Sequence, residues 1–576
     1  MNKKAIENYK SAKEQLPTEM LGWPLYGDGI DNLGINGNPV VLPLPEFGDD
    51  ELLMRIDAVS LCYTDVKEIS QGSKHPRLTD RDLAHNPIIP GHEIAMTVVG
   101  VGKNLVDTYH AGQRFTMQPD VWVDGVSVPF CFGMDGGYRQ YAAIGKAVLE
   151  GDAGNYLIPI PDDMSYAAAA ITEPWACVEA AYRMEYRTGL KMGGYVWMVG
   201  NSQTRTGFDL RGLFSDEHIP HIVFASNLPT ELMAALQKAA DTYHFALVEK
   251  EAEQILASDD NLDDILLLDC DQAFTNKASE KLAKGGVLAI LKENKTDDLL
   301  QVDFGRLHYD AIYYVGSSEL EINAAYTTTK PRNELKSHGK VWILGAGGPM
   351  GRMHLQRAIE SINGPEEIFA SEVTEDRYRS LLQDFPELAQ KHHKKLTILD
   401  PKTQADTYQQ YLRDIMGRGG FDDIEIMITI APIISEAVKY LANKGVVNLF
   451  AGLKRGVCTD VDAGLIYGEK QVRFMGHSGS GLDDQKAVVQ RTVNKQLKPE
   501  LSVAAIGGVN QIADGIRAMQ NWVYPGKIVI YPQVKDFPLS GLDEFAGKNK
   551  EVFEAIQKEK CWTQEAEEIF LSEELS

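Results

Sequence analysis

At 576 residues the chain is too long for one hydrophobic core, and its length predicts about three or four domains. A formal net charge of -25 excludes a general binder of nucleic acid or of a membrane surface, since either would repel the chain at long range. The hydrophobic share of 44% is ordinary for a soluble globular interior.

The first 190 residues are rich in Gly, Pro and short β-type runs, among them VVLPL (40–44), LLMRIDAVSL (52–61) and IAMTVVGVG (94–102). Short strands closed by Gly or Pro predict a barrel-like β domain. The start, MNKKAIENYKSAKEQ, has no apolar core like that of a signal peptide. No stretch reaches the roughly 18 apolar residues of a membrane span. From 166 the pattern turns helical in YAAAAITEPWACVEAAYRM, interrupted by Pro174. Cys62, Cys131, Cys177, Cys270, Cys458 and Cys561 form no CxxC pair. They read as reduced thiols of a cytoplasmic chain, not as a disulfide framework.

Beyond 190 the chain repeats itself. Val196–Gly200 (VWMVG) matches Val341–Gly345 (VWILG), and Phe224-Ala225-Ser226 matches Phe369-Ala370-Ser371, each 145 positions on. Asp263-Asp264-Ile265 matches Asp422-Asp423-Ile424 and Gly286-Val287 matches Gly445-Val446, both 159 positions on. Gly316 matches Gly476 at 160. The order and the slowly changing shift predict a tandem duplication. Each copy is expected to read strand, glycine turn, helix, strand, helix, the doubly wound parallel sheet. After the second copy, KAVVQRTVNKQL and GVNQIADGIRAMQ predict two helices, and Lys527–Tyr531 a closing strand. The last 30 or so residues are acidic with a helical pattern and are expected to be a solvated cap.

Three segments of the β domain carry residue types suited to a catalytic zinc: Cys62-Tyr63-Thr64-Asp65, Gly91-His92-Glu93 and Thr172-Glu173-Pro174. Zinc takes thiolate, imidazole and carboxylate in a tetrahedral set, and catalysis needs three protein ligands and an open position. Cys62, His92 and one or both of Glu93 and Glu173 supply such a set. Taken singly, each has a plainer reading: Cys62 as a buried thiol, His92 as a loop histidine, Glu173 as a carboxylate favoured near a helix start.

Together these segments resemble the zinc-type medium-chain dehydrogenase/reductase family, particularly its sorbitol, polyol and sugar-phosphate branch. Cys62 with Asp65 looks like the family's C-x-x-D turn, and Gly91-His92-Glu93 like its GHE signature. Glu173-Pro174 resembles the E-P pair of polyol dehydrogenases, and Gly136-Gly137-Tyr138-Arg139-Gln140-Tyr141 resembles the family's G-G-[FY]-x-x-[YF] strand motif. TEPWACVEAAY resembles the sorbose-phosphate reductase type. The chain departs from the pattern at three places. Met96 replaces a signature glycine. Only Cys131 remains in the loop that often holds a structural zinc, so one catalytic ion and no structural zinc are expected. Lys67 stands where many relatives have a proton-relay histidine.

The resemblance implies an α/β protein: a GroES-like β-barrel catalytic domain plus two tandem Rossmann-like doubly wound parallel sheets. Its parts are the catalytic domain (1–190), a degenerate Rossmann-like repeat (191–337), the NAD-binding domain (338–480), the return helices and closing strand (481–545) and the acidic tail (546–576). Relatives often dimerise by pairing sheet edges. Two arrangements are therefore expected, a homo-oligomer or an intramolecular pseudo-dimer in which the first repeat takes the partner's place.

In the second repeat, Gly345, Gly347, Gly348, Pro349, Met350 and Gly351 lie between a strand and a helix, where glycines let a pyrophosphate approach the helix N-terminus. Glu372, after the next strand, is placed to accept from ribose hydroxyls and to repel a 2′-phosphate, which favours NAD over NADP. Arg377 lies close enough to blur that preference. Asn448, Phe450, Gly476 and His477 come after later strands and are expected near the nicotinamide. The first repeat keeps only Gly200 and Gly207 of the loop and has Asn227 in place of the acid. It is expected to be a dead copy kept for packing. The alternative is a second ligand site, with Arg205 as its anion contact.

On this reading zinc polarises the hydroxyl of a secondary alcohol, hydride passes to the nicotinamide, and a ketone results. Thr64 relays the proton, Asp65 orients His92, and Glu93 and Glu173 bind zinc directly or through water. The substrate expected is a sugar, a polyol or a sugar phosphate. The alternatives are another secondary alcohol such as threonine, a catalytically silent ligand-binding relative, and a zinc-free quinone reductase. Cys62, His92 and Glu173 speak against the last.

Overall fold

The structure, a computed structural model, describes residues 3–293, 299–328 and 332–575. The chain forms two compact units, Met1–Glu179 with Gly479–Ser576, and Ala180–Ser478. No helix among the described residues is long and apolar enough to cross a membrane.

The first unit is built on an antiparallel pair, Leu52–Ser60 against Glu93–Val101, which sets Ser60 opposite Glu93. Every residue of Leu52–Ser60 is buried. Such a run, LLMRIDAVS, belongs in the middle of a sheet, because only packing on both faces hides it from water. An eight-stranded sheet surrounds the pair. Lys527–Tyr531 returns from the far end of the chain to pair with Leu52–Ser60, with Val529 opposite Ser60. Trp23, Met54, Ile94, Tyr138, Ile516 and Ile528 share the core beneath. The alanine-rich stretch forms two helices, Tyr166–Ala170 and Thr172–Ala180. Pro174 falls in the first turn of the second helix, where a missing N–H leaves no bond unmade.

The acidic tail does not behave as a solvated cap. It forms helices Lys550–Glu559 and Gln564–Glu574, and Trp562 and Phe570 are buried. The Glu567 carboxylate accepts from the backbone N–H groups of Tyr166 (2.6 Å) and Ala167 (2.8 Å) and from the Tyr531 hydroxyl (2.6 Å). The carboxylate thus sits on a buried helix start, where orphan N–H groups need an acceptor. The acidic composition masked an apolar face.

The second unit is one twelve-stranded sheet. Its first half runs Ala246–Glu249, Ile222–Ser226, Tyr195–Val199, Leu262–Leu268, Leu282–Leu291, Tyr313–Ser317 in space. The second half continues with Arg473–Gly476, Leu441–Leu449, Phe421–Ile426, Lys340–Leu344, Glu367–Ser371, Lys395–Leu399. Each half has the 3-2-1-4-5-6 order of a dinucleotide-binding sheet. Equivalent side chains make equivalent bonds. Trp197 Nε1 donates to Ser226 Oγ (3.0 Å), and Trp342 Nε1 to Ser371 Oγ (2.9 Å). Lys191 pairs with Asp263 and Lys336 with Asp422, both at 2.6 Å, while Arg187 holds Asp264 as Arg332 holds Asp423. Bonds repeated at this level mark a duplication.

The halves meet antiparallel, with Tyr314 opposite Phe474. These two positions correspond at the repeat's shift of 160, so one edge pairs with its own counterpart. A second ribbon pairs Leu299–Asp303 with Cys458–Asp462 in the same sense. Both contacts are isologous, the pattern a two-fold axis produces. The first copy departs from expectation in one element. No helix comes after Gly200, and residues 200–221 pass to Ile222–Ser226 through turns. Gly207, Gly212 and Pro220 in that stretch are poor helix formers.

Candidate active site

Cys62 caps helix Tyr63–Gln71. Its sulfur accepts from the Thr64 N–H (3.4 Å), and Asp65 Oδ2 reaches back to the Cys62 N–H (2.9 Å), a capping box. The turn that starts the helix therefore also aims the thiol. Asp65 is fully buried and accepts twice more, from the Tyr138 hydroxyl on Oδ2 (2.6 Å) and from His92 Nδ1 on Oδ1 (3.0 Å). With Nδ1 donating there, Nε2 is the free nitrogen of His92. Gly91 allows this approach. Its φ is +95°, and a Cβ would stand 2.4 Å from the Tyr138 ring. Thr64 lies half-buried one residue from Tyr63, and Lys67 is exposed on the same helix.

A sulfur of Cys62, a ring nitrogen of His92 and a carboxylate oxygen of Glu93 lie within 4.8 Å of one another. Glu93 Oε1 is taken by Lys527 Nζ (2.7 Å), which also donates to the Leu61 carbonyl (2.8 Å), while Glu93 Oε2 is buried without a partner. Glu173 stands outside that trio. Its helix start is fixed by Thr172 Oγ1, which donates to the Ala169 carbonyl (2.6 Å) and accepts from Gln485 Nε2 (3.1 Å). Burial pushes the Glu173 carboxyl up to about 7, Glu93 adding to the rise and His92 and Lys527 opposing it. Burial works against a charged His92, yet Asp65, Cys62 and Cys131 outweigh it and hold the ring well above its usual value. Burial likewise opposes the Lys527 ammonium, but Glu93 and Cys62 raise it and keep it charged.

Negative donors gathered around an imidazole in a buried place are an environment that a divalent cation fits. The orphan oxygen of Glu93 adds an unmet acceptor at the same point. A second trio, Asp65, His92 and Cys131, is equally compact. Asp65 is already saturated there, however, and burial pushes the Cys131 thiol well up. Met96, the departure from the glycine signature, is buried in Glu93–Val101 opposite Ile56 and Phe115.

In the second unit the loop after Lys340–Leu344 opens helix Pro349–Glu360, with Gly348 as its N-cap and Pro349 in the first turn. Glu372 ends the neighbouring strand and is buried. Its Oε2 accepts from the Gly347 N–H (3.0 Å), and its Oε1 accepts from the N–H groups of Val373 and Thr374 (2.9 Å each). A Cβ at Gly347 would meet Glu372 Oε2 at 2.6 Å and Arg377 Cβ at 2.7 Å. Asn448 is buried and donates to the Ala181 carbonyl (3.3 Å), and Phe450 packs edge-on against His354 (4.5 Å between centroids). Gly476 ends its strand against the backbone of Leu307 and His308, and His477 beside it is half-buried. Met350 and Gly351 lie in the helix, Gly351 close against the Gly345 carbonyl.

The first repeat's loop is filled. Thr204 Oγ1 accepts from the Asn201 N–H (2.7 Å) and stands 2.7 Å from where a Cβ of Gly200 would be. Arg205 Nε is held by both oxygens of Asp269 (3.0 Å), and Asn227 has a left-handed φ of +51°.

Sequence reasoning missed Lys527, Gln485 and the Tyr138 hydroxyl. Lys527 had a signal: a lone lysine opens the otherwise apolar strand Lys527–Tyr531. Its partner is 434 residues away in sequence.

The alcohol dehydrogenase GroES-like domain family matches residues 48–150. Mannitol-1-phosphate 5-dehydrogenase of Aliivibrio fischeri is 22% identical over 542 residues, covering 92% of this chain and 93% of that one. L-sorbose 1-phosphate reductase of Klebsiella pneumoniae is 28% identical over 297 residues, 48% of this chain and 71% of the relative. Among solved structures, 2R,3R-butanediol dehydrogenase of Bacillus subtilis superposes with a TM-score of 0.50 at 14% identity, covering 89% of this chain and 99% of that one, which bears on the fold alone. The chain is an oxidoreductase that carries an alcohol dehydrogenase GroES-like domain over residues 48–150, and over its length it is similar to polyol and sugar-phosphate dehydrogenases.

Proposed function

We propose that the chain is a zinc-dependent dehydrogenase that interconverts a secondary alcohol of a sugar, polyol or sugar phosphate and its ketone by hydride transfer with NAD(H). The observation that carries this reading is the convergence of thiol, imidazole and carboxylate from the half-buried Cys62 and the buried His92 and Glu93, with the charges of His92 and Glu93 acting on Glu173. Cys62, His92 and Glu173 would hold the ion, and the unpartnered oxygen of Glu93 is a reserve donor. Zinc bound there supplies Lewis acidity, drawing the pKa of a hydroxyl toward about 7.

The chain's own groups do the rest. Asp65 fixes the tautomer and tilt of His92. The Lys527 ammonium anchors Glu93 at 2.7 Å. Thr64, at the helix start beside Cys62, passes the substrate proton outward through its hydroxyl. In the second unit the Gly347 and Gly348 amides receive the cofactor's pyrophosphate, and Glu372 turns its carboxylate from the Gly347 amide to the ribose hydroxyls. A second reading of the cofactor, NADP, is favoured by one observation. Arg377 Nη1 lies 3.9 Å from where a Cβ of Gly348 would begin, within reach of a 2′-phosphate.

The test is metal analysis of the purified chain, then a screen of polyols, sugars and their phosphates with both nicotinamides, tracking reduced cofactor by absorbance. One zinc per chain and chelator-sensitive reduction of NAD are expected. Turnover indifferent to chelation would overturn the zinc reading. An Arg377→Ala variant that loses NADP but not NAD turnover would support the second.

A further inference from the structure

The helix that carries Cys62, Thr64 and Asp65 runs on into a cationic arc that the proposed chemistry does not use. Lys67 is exposed on that helix, with Nζ 5.7 Å above the Tyr63 ring, and it forms no ion pair among the described residues. One short turn later His75 stacks on Phe132, 4.9 Å between centroids at 18°. Arg77 lays its guanidinium over the same ring at 5.2 Å, and its backbone N–H donates to His75 Nδ1 (3.3 Å). Phe132 is a buried, rigid floor beneath both.

The arc grows from the helix that Cys62 caps. Arg77 Nη1 donates to Asp120 Oδ1 (3.2 Å). Burial lowers the His75 ring, and Arg77 and Lys67 lower it further, so the three groups feel one another. The acidic groups facing them are Asp120, which orients Arg77, and Glu68, which burial drives strongly toward its neutral form. In a chain of net charge -25, the two cations Lys67 and Arg77 run against the field of the whole molecule. Arg77 keeps its other guanidinium edge for a planar or tetrahedral anion, the geometry in which arginine binds phosphate in two bonds.

We propose that Lys67, His75 and Arg77 form the subsite for the phosphate of a phosphorylated sugar alcohol, so that the substrate is a phosphate ester and not the free polyol. This rests on the dehydrogenase reading above and narrows its substrate class. Arg77 supplies the paired bonds, Lys67 a mobile point charge, and His75 a neutral N–H.

The test uses the full-length, zinc-loaded chain with a hexitol 1-phosphate and the parent hexitol. The wild type is expected to favour the ester in kcat/KM. Arg77→Gln and Lys67→Gln should each cut the ester-to-hexitol ratio about tenfold or more, mainly through KM for the ester, the scale of a lost charged hydrogen bond. Arg77→Lys should recover part of the loss. Equal use of both alcohols, or an equal fall for both in the variants, would overturn the subsite and leave the dehydrogenase standing. If neither alcohol is oxidised, the dehydrogenase reading fails and inorganic phosphate decides the subsite by calorimetry. Binding by the wild type that is weakened in Arg77→Gln upholds it, and no binding, or equal binding by both, overturns it.

Discussion

Asp65 joins local folding to chemistry. One oxygen closes the capping box on Cys62 and takes the Tyr138 hydroxyl, and the other steers His92. Asp65→Asn keeps the shape but replaces one acceptor oxygen by a donor, so His92 loses its fixed tautomer. Zinc affinity measured by chelator competition should fall about 10- to 100-fold with the fold intact. An unchanged affinity would remove Asp65 from the site. A different histidine makes a pH prediction. His354 is fully buried in the second unit, its Nδ1 2.6 Å from the Tyr182 hydroxyl, and burial brings its pKa down to about 3, Arg357 adding to the fall. The unfolded chain takes a proton near 6.5 that the folded chain refuses until about 3. Stability from this group is therefore full above 6.5 and is lost as pH falls, at roughly 1.4 kcal/mol per unit. Urea unfolding across that range should show this slope, and His354→Gln should flatten it by about one proton.

Whole elements were legible where local pattern and packing agree. The strands of the first unit, the two return helices and the glycine loop of the second repeat all stand where alternation, periodicity and turn residues put them. The signature residues Cys62, His92 and Glu93 come together because the antiparallel register sets Ser60 opposite Glu93. What escaped was non-local. Nothing near Lys527 or Gln485 in sequence names Glu93 or Thr172 as a partner. The tail's charge is visible in sequence, whereas the burial of Trp562 depends on tertiary packing. Trp562→Ala should cost about 3–5 kcal/mol in chemical denaturation, the range for losing a fully buried tryptophan. A solvated tail would lose almost nothing. In the glycine loop, Gly347→Val places a side chain where Glu372 and Arg377 already stand. It should abolish NAD binding by calorimetry while the zinc content is unchanged.

At the scale of the whole chain, the duplication was readable from five short matches, and the bonds of Trp197 and Trp342 repeat it in three dimensions. The missing helix after Gly200 was not readable, because a preserved strand and a preserved glycine imply a turn but leave the next element undetermined. Without that helix, and with Thr204 filling the turn, the first copy has no N-terminus on which a pyrophosphate can rest. Titration calorimetry should give one nicotinamide per chain, and two would restore a working site to the first copy.

The seam where Tyr314 lies against Phe474 has a further meaning. In a dimer of identical chains, any substitution at such an axis is made twice and must suit its own mirror. Here the two sides are encoded separately, so a tyrosine can settle against a phenylalanine, and one sheet can surrender its ligand loop while its counterpart keeps an intact one. The two halves, encoded separately, are free to diverge, and the first has lost the helix after its glycine turn.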